Sequence, residues 1–364
     1  MAGAGVTARR LLLVSLFVLV GLSLAVLARG LVPCEVLAAQ PECQVAVQPG
    51  PVEDTLDLIS VTGADVFPPS QGSLHLTTVA VQEDLGFAGW IGARTDRSVE
   101  VVPRDRIFPP GFDRDEVADL NAAAMRDSQL VATIVALEAL GYELEPDGAL
   151  VVAVQDDAVT DQLEVDDVIT AIDGEGVRES TEVVEAVRAR SVGTQVELEV
   201  RGAGGVRTIE VVLGPNPDDP DVPYIGVLLT TEVDLPVDIE VDAGAIGGPS
   251  AGLFFALSLL ELLEAEDLID GRVIAGTGTL GRDGAVGGVG GVPQKIAGAS
   301  APRDGSPPAE VFLVPRDNLD DARSAAVAAD VLVIPVDTLE DALVALEDLR
   351  AGREPTDSLL LAGP

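Results

Sequence analysis

The spacing of hydrophobic residues changes several times along the chain. Leu11 to Ala28 is an unbroken run of uncharged, mostly apolar residues, just long enough to cross a bilayer as a helix. Arg9 and Arg10 precede it. That asymmetry predicts an N-terminus inside the cell and the bulk of the chain outside. A cleaved signal peptide is the alternative. Residues 31–120 hold short alternating stretches, such as Leu56–Val61 and Leu74–Val81, broken by Pro and Gly, and these predict strands. Arg104–Phe112 is a proline-rich link. Apolar residues at helical spacing then predict a helix from Asn121 to Leu140, ended by Gly141.

From Gly141 to Gly214 the pattern becomes strands with one helix. Ala149–Val154 and Asp167–Ile172 read as strands, the second closed by a turn at Asp173–Gly174. Thr181–Arg190 reads as a helix with Ser180 placed to cap it. Gln195–Arg201 and Arg207–Leu213 alternate around Gly204–Gly205, which predicts a hairpin. Residues 215–223 form a Pro/Asp linker. Strands and helices alternate beyond it, which predicts an α+β or α/β domain. The clearest strands are Val237–Val241, Val273–Ala275, Val311–Val314 and Val331–Pro335; the clearest helices are Ser250–Glu264 and Leu339–Leu349.

Composition adds three constraints. The net charge is −39, a surface that repels nucleic acid and anionic lipid. Aromatics are only 3%, so the core must be aliphatic. Lys295 is the only lysine among 22 basic residues. A buried Lys can lose its proton and Arg cannot, so a lone retained Lys suggests a role that needs the neutral amine. The one histidine, His75, sits in an alternating run without metal-ligand spacing and reads as a strand-surface residue. Cys34 and Cys43 are the only cysteines. In an oxidising compartment they can close a short loop; two free thiols are the alternative.

The segment Gly244–Ala245–Ile246–Gly247–Gly248–Pro249–Ser250–Ala251–Gly252 lies between a strand and a strongly apolar helix. A serine at a helix entry has unpaired N–H groups and the positive end of the dipole beside it, which suits a nucleophile with an oxyanion hole. The segment also matches G-x-S-x-G, whose usual histidine follows the serine in chain order. His75 lies upstream, so another base must activate Ser250. Thr277–Gly278 leads through a glycine-rich block to Gln294–Lys295. A free Lys, with a pKa of about 10.4, is a poor base at neutral pH. Burial would lower that value and let the amine take the serine proton.

Two resemblances organise these segments. Leu163–Ile169 with Ile172–Asp173–Gly174 resembles the core signature of bacterial PDZ domains, with Asp166–Asp167 where the family usually has Gly-Asp. Such a domain captures an extended peptide on a sheet edge beside the 181–190 helix. The GPSAG motif and the TG…GG-x-x-x-K block together resemble the proteolytic domain of the Lon family. That resemblance implies Ser250 as nucleophile, Lys295 as general base, and Thr277, Gly248 and Pro249 as supporting residues. It differs at Gly247, where many Lon proteases have Asp. The order of anchor, PDZ domain and Lon-type domain resembles the YlbL-like PDZ–Lon proteases.

The resulting expectation is an α+β chain with an N-terminal transmembrane helix, a PDZ-like β-rich domain and a Lon-type α/β proteolytic domain. The boundaries are 1–30 for the cytoplasmic tip and anchor, 31–120 for a β-rich N-terminal region, and 121–214 for the helix plus PDZ domain. The proteolytic domain is expected at 224–350 and a tail at 351–364. A Walker A loop needs a lysine, and the sole lysine does not sit in one, so the expected activity is an ATP-independent serine endopeptidase without cofactor or metal. Its expected place is the cell membrane, with the PDZ and protease domains extracytoplasmic. Its expected partners are protein or peptide substrates at the PDZ groove, the membrane, no nucleic acid, and further copies in a hexameric ring by family resemblance. The competing reading is a catalytically silent PDZ scaffold.

Overall fold

The computed structural model describes residues 43–355, apart from 70, 110–113, 156, 218 and 303–305. The first elements are β1 (Gln44–Asp54), α1 (Thr55–Leu58), β2 (Ile59–Thr62), β3 (Ser73–Gln82), α2 (Gly86–Thr95) and β4 (Glu100–Pro103). The long helix α3 (Arg114–Ala139) follows, then β5 (Pro146–Val154), β6 (Val168–Ile172), β7 (Glu175–Gly176), α4 (Ser180–Arg188), β8 (Gln195–Gly202) and β9 (Gly205–Val212). After β10 (Gly214–Pro215) and β11 (Pro223–Tyr224) come β12 (Val227–Val233), β13 (Asp238–Val241), α5 (Gly252–Leu263), β14 (Val273–Gly276), β15 (Thr279–Leu280) and β16 (Val286–Gly287). The last elements among the described residues are α6 (Val292–Ser300), β17 (Val311–Pro315), α7 (Leu319–Ala329), β18 (Leu332–Val336) and α8 (Leu339–Arg350).

The chain divides into two units, residues 1–48 with 80–112 and residues 49–79 with 113–364. In the smaller unit, Gln44–Val47 pairs antiparallel with β4. Trp90 on α2 donates its indole N–H to Gln44 Oε1 at 2.6 Å, and the Arg94 guanidinium lies 4.5 Å over the Trp90 ring.

The larger unit is built on a sheet in which β14 runs parallel to β3 on one side and to β17 on the other, with β18 parallel beyond β17. Helix α5 is buried from Gly252 to Leu262. Its leucines and phenylalanines fill the space between this sheet and α3, whose Val131, Ala132, Val135 and Ala136 belong to the same core. A second sheet, in the order β12-β5-β6-β8-β9, has its own core of Ala149, Ile169, Leu198, Val211 and their neighbours, with Val183 and Val187 of α4 packed against it. The ends of this second sheet meet: Pro146 at the start of β5 pairs with Val233 at the end of β12. The second sheet is therefore inserted between α3 and β13. After it, β13 returns to pair antiparallel with β2.

Several expectations need correction. The expected fold class, with a transmembrane helix followed by two domains in series, does not describe this structure. Among the described residues no helix is long and apolar enough to cross a membrane. Helix α3 has the length but carries Arg114, Asp115, Glu116, Asp119, Arg126, Asp127 and Glu138, whereas α5 has the apolarity but only 12 residues. The run Leu11–Ala28 and Cys34 lie outside the described residues; Cys43 is disulfide-bonded. Residues 31–120 are not a separate β-rich region, because Pro49–Val79 belongs to the larger unit. The domain expected at 224–350 is likewise not continuous, since β3 and α3 complete its sheet and core.

Local differences have local causes. Leu56–Val61 begins as helix rather than strand. Asp54 caps α1 by accepting from Leu56 N at 3.1 Å, and the buried Thr55 hydroxyl donates to Leu74 O at 2.7 Å. His75 is 5% exposed, not a surface residue, because β3 lies inside the sheet opposite Ala275. Ser180 does not cap α4. Glu179 is the N-cap, with the Glu182 carboxylate accepting from its backbone N–H.

Candidate active site

Three elements of the larger unit converge at the carboxyl ends of the parallel strands β14 and β17. Ser250 stands in the turn just before α5, whose N-cap is Ala251. Thr277 follows directly on β14. Lys295 lies in the first turns of α6. These residues are 27 and 45 positions from Ser250 in sequence, yet their side chains touch.

Lys295 Nζ donates to Ser250 Oγ at 2.9 Å and to Thr277 Oγ1 at 2.8 Å. Thr277 Oγ1 in turn donates to the Ser250 carbonyl at 2.9 Å, and the Gly278 N–H donates to the same oxygen at 2.9 Å. A hydroxyl has one hydrogen. The Thr277 hydrogen is committed to Ser250, so only lone pairs face Nζ. Once the amine is neutral, one N–H stays on Thr277 and the nitrogen lone pair is available to Ser250. Lys295 is 3% exposed and Thr277 1%. Burial without a countercharge disfavours the ammonium form and pushes the Lys295 pKa from 10.5 down to about 8.

The residues around this cluster fix its backbone. Gly248 has φ of +87°, a conformation open to glycine, and its N–H donates to Asn121 O at 2.8 Å. The Pro249 carbonyl accepts from Ser128 Oγ at 3.2 Å. Helix α6 starts from Gly291 at φ of +71°, where a Cβ would come within 2.6 Å of Val79 Cγ1. Asn318 clamps the preceding loop, accepting from Val289 N at 2.7 Å and donating to Val289 O at 2.9 Å. All five site residues named from sequence fall in this one place. His75 stays in β3, and the hydrogen bond at Ser250 Oγ comes from Lys295. Asn121, Ser128 and Asn318 were not found from sequence, because each acts through a backbone atom of a distant segment and no motif marks them.

The inserted sheet presents a different surface. Strand β12 is one of its two edge strands, and α4 runs beside it, with Ser180 N donating to Thr231 Oγ1 at 3.2 Å. Asp166 adopts φ of +71° where the signature has glycine. Asp167 is 4% exposed and ion-paired to Arg207 at 2.5 Å.

Residues 124–213 match the PDZ domain family. The chain contains a PDZ domain. Similar solved structures include the PDZ domain of the SdrC-like protein from Listeria monocytogenes, 27% identical, covering 24% of this chain and 93% of that one, with a TM-score of 0.22. The PDZ domain of the SdrC-like protein from Listeria innocua is 26% identical over 23% of this chain and 93% of that one, with a TM-score of 0.21. A domain from Geobacillus thermodenitrificans is 30% identical over 22% of this chain and 95% of that one, also with a TM-score of 0.21. No curated protein matches the chain. PDZ domains bind peptides or proteins, and that is the general class of partner here. The first part of the matched segment, residues 124–139, belongs to α3 and packs into the core around α5 rather than into the core of the inserted sheet.

Proposed function

We propose that this chain is a serine endopeptidase of the Lon type, with Ser250 as nucleophile and Lys295 as general base. The observation that carries the reading is the hydrogen bond of 2.9 Å between Lys295 Nζ and Ser250 Oγ, with the amine buried and held by Thr277. In this mechanism the neutral Lys295 amine takes the Ser250 proton as Oγ adds to the peptide carbonyl. The oxyanion forms near the first turn of α5, where backbone N–H groups and the helix dipole favour negative charge. Lys295 then passes its proton to the leaving amine as the C–N bond breaks, which leaves an acyl-enzyme. Water, deprotonated by Lys295, attacks the ester, and the proton returns to Ser250 as the acid product leaves. No step uses a nucleotide.

Strand β12 and α4 supply the peptide-capture surface. An extended segment adds to the free edge of β12 by main-chain hydrogen bonds. The disulfide at Cys43 supports an oxidising compartment for the enzyme. A PDZ scaffold without activity would use the same surface, but it gives no reason to bury the only lysine against a serine. Labelling with a fluorophosphonate, followed by peptide mapping, separates the two readings. The endopeptidase carries the adduct on Ser250 and loses it in Lys295→Met. A scaffold leaves Ser250 unlabelled.

A further inference from the structure

Ser250 joins two peptide planes, and the structure pins each from a different side. The plane after it, Ser250–Ala251, is held at the Ser250 carbonyl by the Thr277 hydroxyl and the Gly278 N–H. The plane before it, Pro249–Ser250, is held at the Pro249 carbonyl by Ser128 of α3. A peptide unit is rigid and planar. A bond to the Pro249 carbonyl therefore also sets the direction of the Ser250 N–H. That N–H lies at the helix entry, where an oxyanion forms in the proposed reaction.

The contact with α3 is built rather than incidental. Asn121 and Ser128 are seven residues apart on α3, two helical turns, so they share one face. Asn121 O takes the Gly248 N–H at 2.8 Å and Ser128 Oγ gives to Pro249 O at 3.2 Å. Glycines on both sides of Ser250 admit the helix: a Cβ on Gly247 would come 2.9 Å from Asn121 Cβ, and one on Gly252 2.9 Å from Ser128 Oγ. Ser128 is itself 5% exposed. A buried helical serine commonly turns its hydroxyl back to its own helix; this one reaches across to the nucleophile turn.

We infer that Ser128 is a positioning residue for the nucleophile. It fixes the Pro249–Ser250 peptide so that Ser250 Oγ meets Lys295 Nζ and the Ser250 N–H faces the developing oxyanion. The inference rests on the peptidase reading above. It also gives α3, most of which falls in the PDZ-matching segment, a part in the chemistry.

The test uses the full chain, with fluorescein-labelled casein as substrate and active sites counted by fluorophosphonate titration. Counting sites removes misfolded molecules from the rate, so a merely structural role leaves turnover per site unchanged. Ser128→Ala is expected to lower kcat per titrated site by roughly ten-fold, the size of one lost hydrogen bond in the reacting state, with KM changed less than two-fold. Ser128→Thr, which keeps the hydroxyl, is expected to recover most of the loss. Wild-type kcat per site in Ser128→Ala, with Ser250→Ala inert, overturns the Ser128 assignment and leaves the peptidase reading standing. Wild-type turnover in Ser250→Ala overturns both.

Discussion

Thr277 uses its hydroxyl twice, accepting from Lys295 and donating to Ser250 O. Thr277→Val keeps the shape and removes both bonds. It is expected to lower casein turnover about ten-fold or more while the chain stays folded, as judged by circular dichroism. Lys295 carries a second consequence. Its pKa falls from 10.5 to about 8 in the folded chain. The unfolded chain therefore holds the Lys295 proton more tightly, and stability rises with pH between those two values. Below the lower value the buried ammonium costs roughly 3 kcal/mol. Lys295→Met is expected to melt at higher temperature than wild type near neutral pH, with the gap closing as pH approaches 10.5. A melting-temperature series against pH checks this, and a constant gap contradicts it. This residue was legible in the sequence because it stood alone among arginines. The depth of its burial was not, because a glycine-rich block does not reveal that Lys295 sits on a helix.

At the scale of elements, α6 exists in its position because Gly291 allows the chain to turn into it. Gly291→Ala meets both a left-handed φ of +71° and a contact of 2.6 Å with Val79. It is expected to cost about 1–2 kcal/mol and to reduce fluorophosphonate labelling of Ser250, since the helix that carries Lys295 must shift. Equal melting and labelling to wild type would contradict the account of this turn. Long periodic elements were legible: helices α3, α5 and α8 and strands β5, β6, β8 and β9 overlap their sequence positions, whereas β12 was not among the expected strands. Short and buried elements were not. Helix α1 hides in an alternating stretch because Asp54 and the buried Thr55 outweigh the strand pattern. Helix α6 hides because the glycine-rich block just before it and Pro293 read as loop.

The whole molecule departs most from what the sequence suggested. Order along the chain reads as one domain after another, but the second sheet, which holds most of the PDZ-matching segment, is inserted between α3 and β13. Sequence could not reveal this, because the pairing of β14 with β3 joins segments about 200 residues apart and both read simply as strands. The insertion has its own core, and its ends meet at Pro146 and Val233. Residues 144–236 expressed alone are therefore expected to fold with a cooperative melt, and the remaining chain, closed by a short Gly/Ser linker, to keep fluorophosphonate labelling at Ser250. Loss of labelling in the closed remainder would show that the inserted domain is needed to assemble the site.

The pH dependence of casein cleavage by wild type and Lys295→Arg decides whether Lys295 is the base that activates Ser250. A neutral Lys295 acting as base predicts that wild-type kcat rises about ten-fold per pH unit toward pH 8 and then levels. Arginine stays protonated, so Lys295→Arg is expected to sit at background throughout. A Lys295→Arg profile that follows wild type would contradict the Ser250–Lys295 assignment.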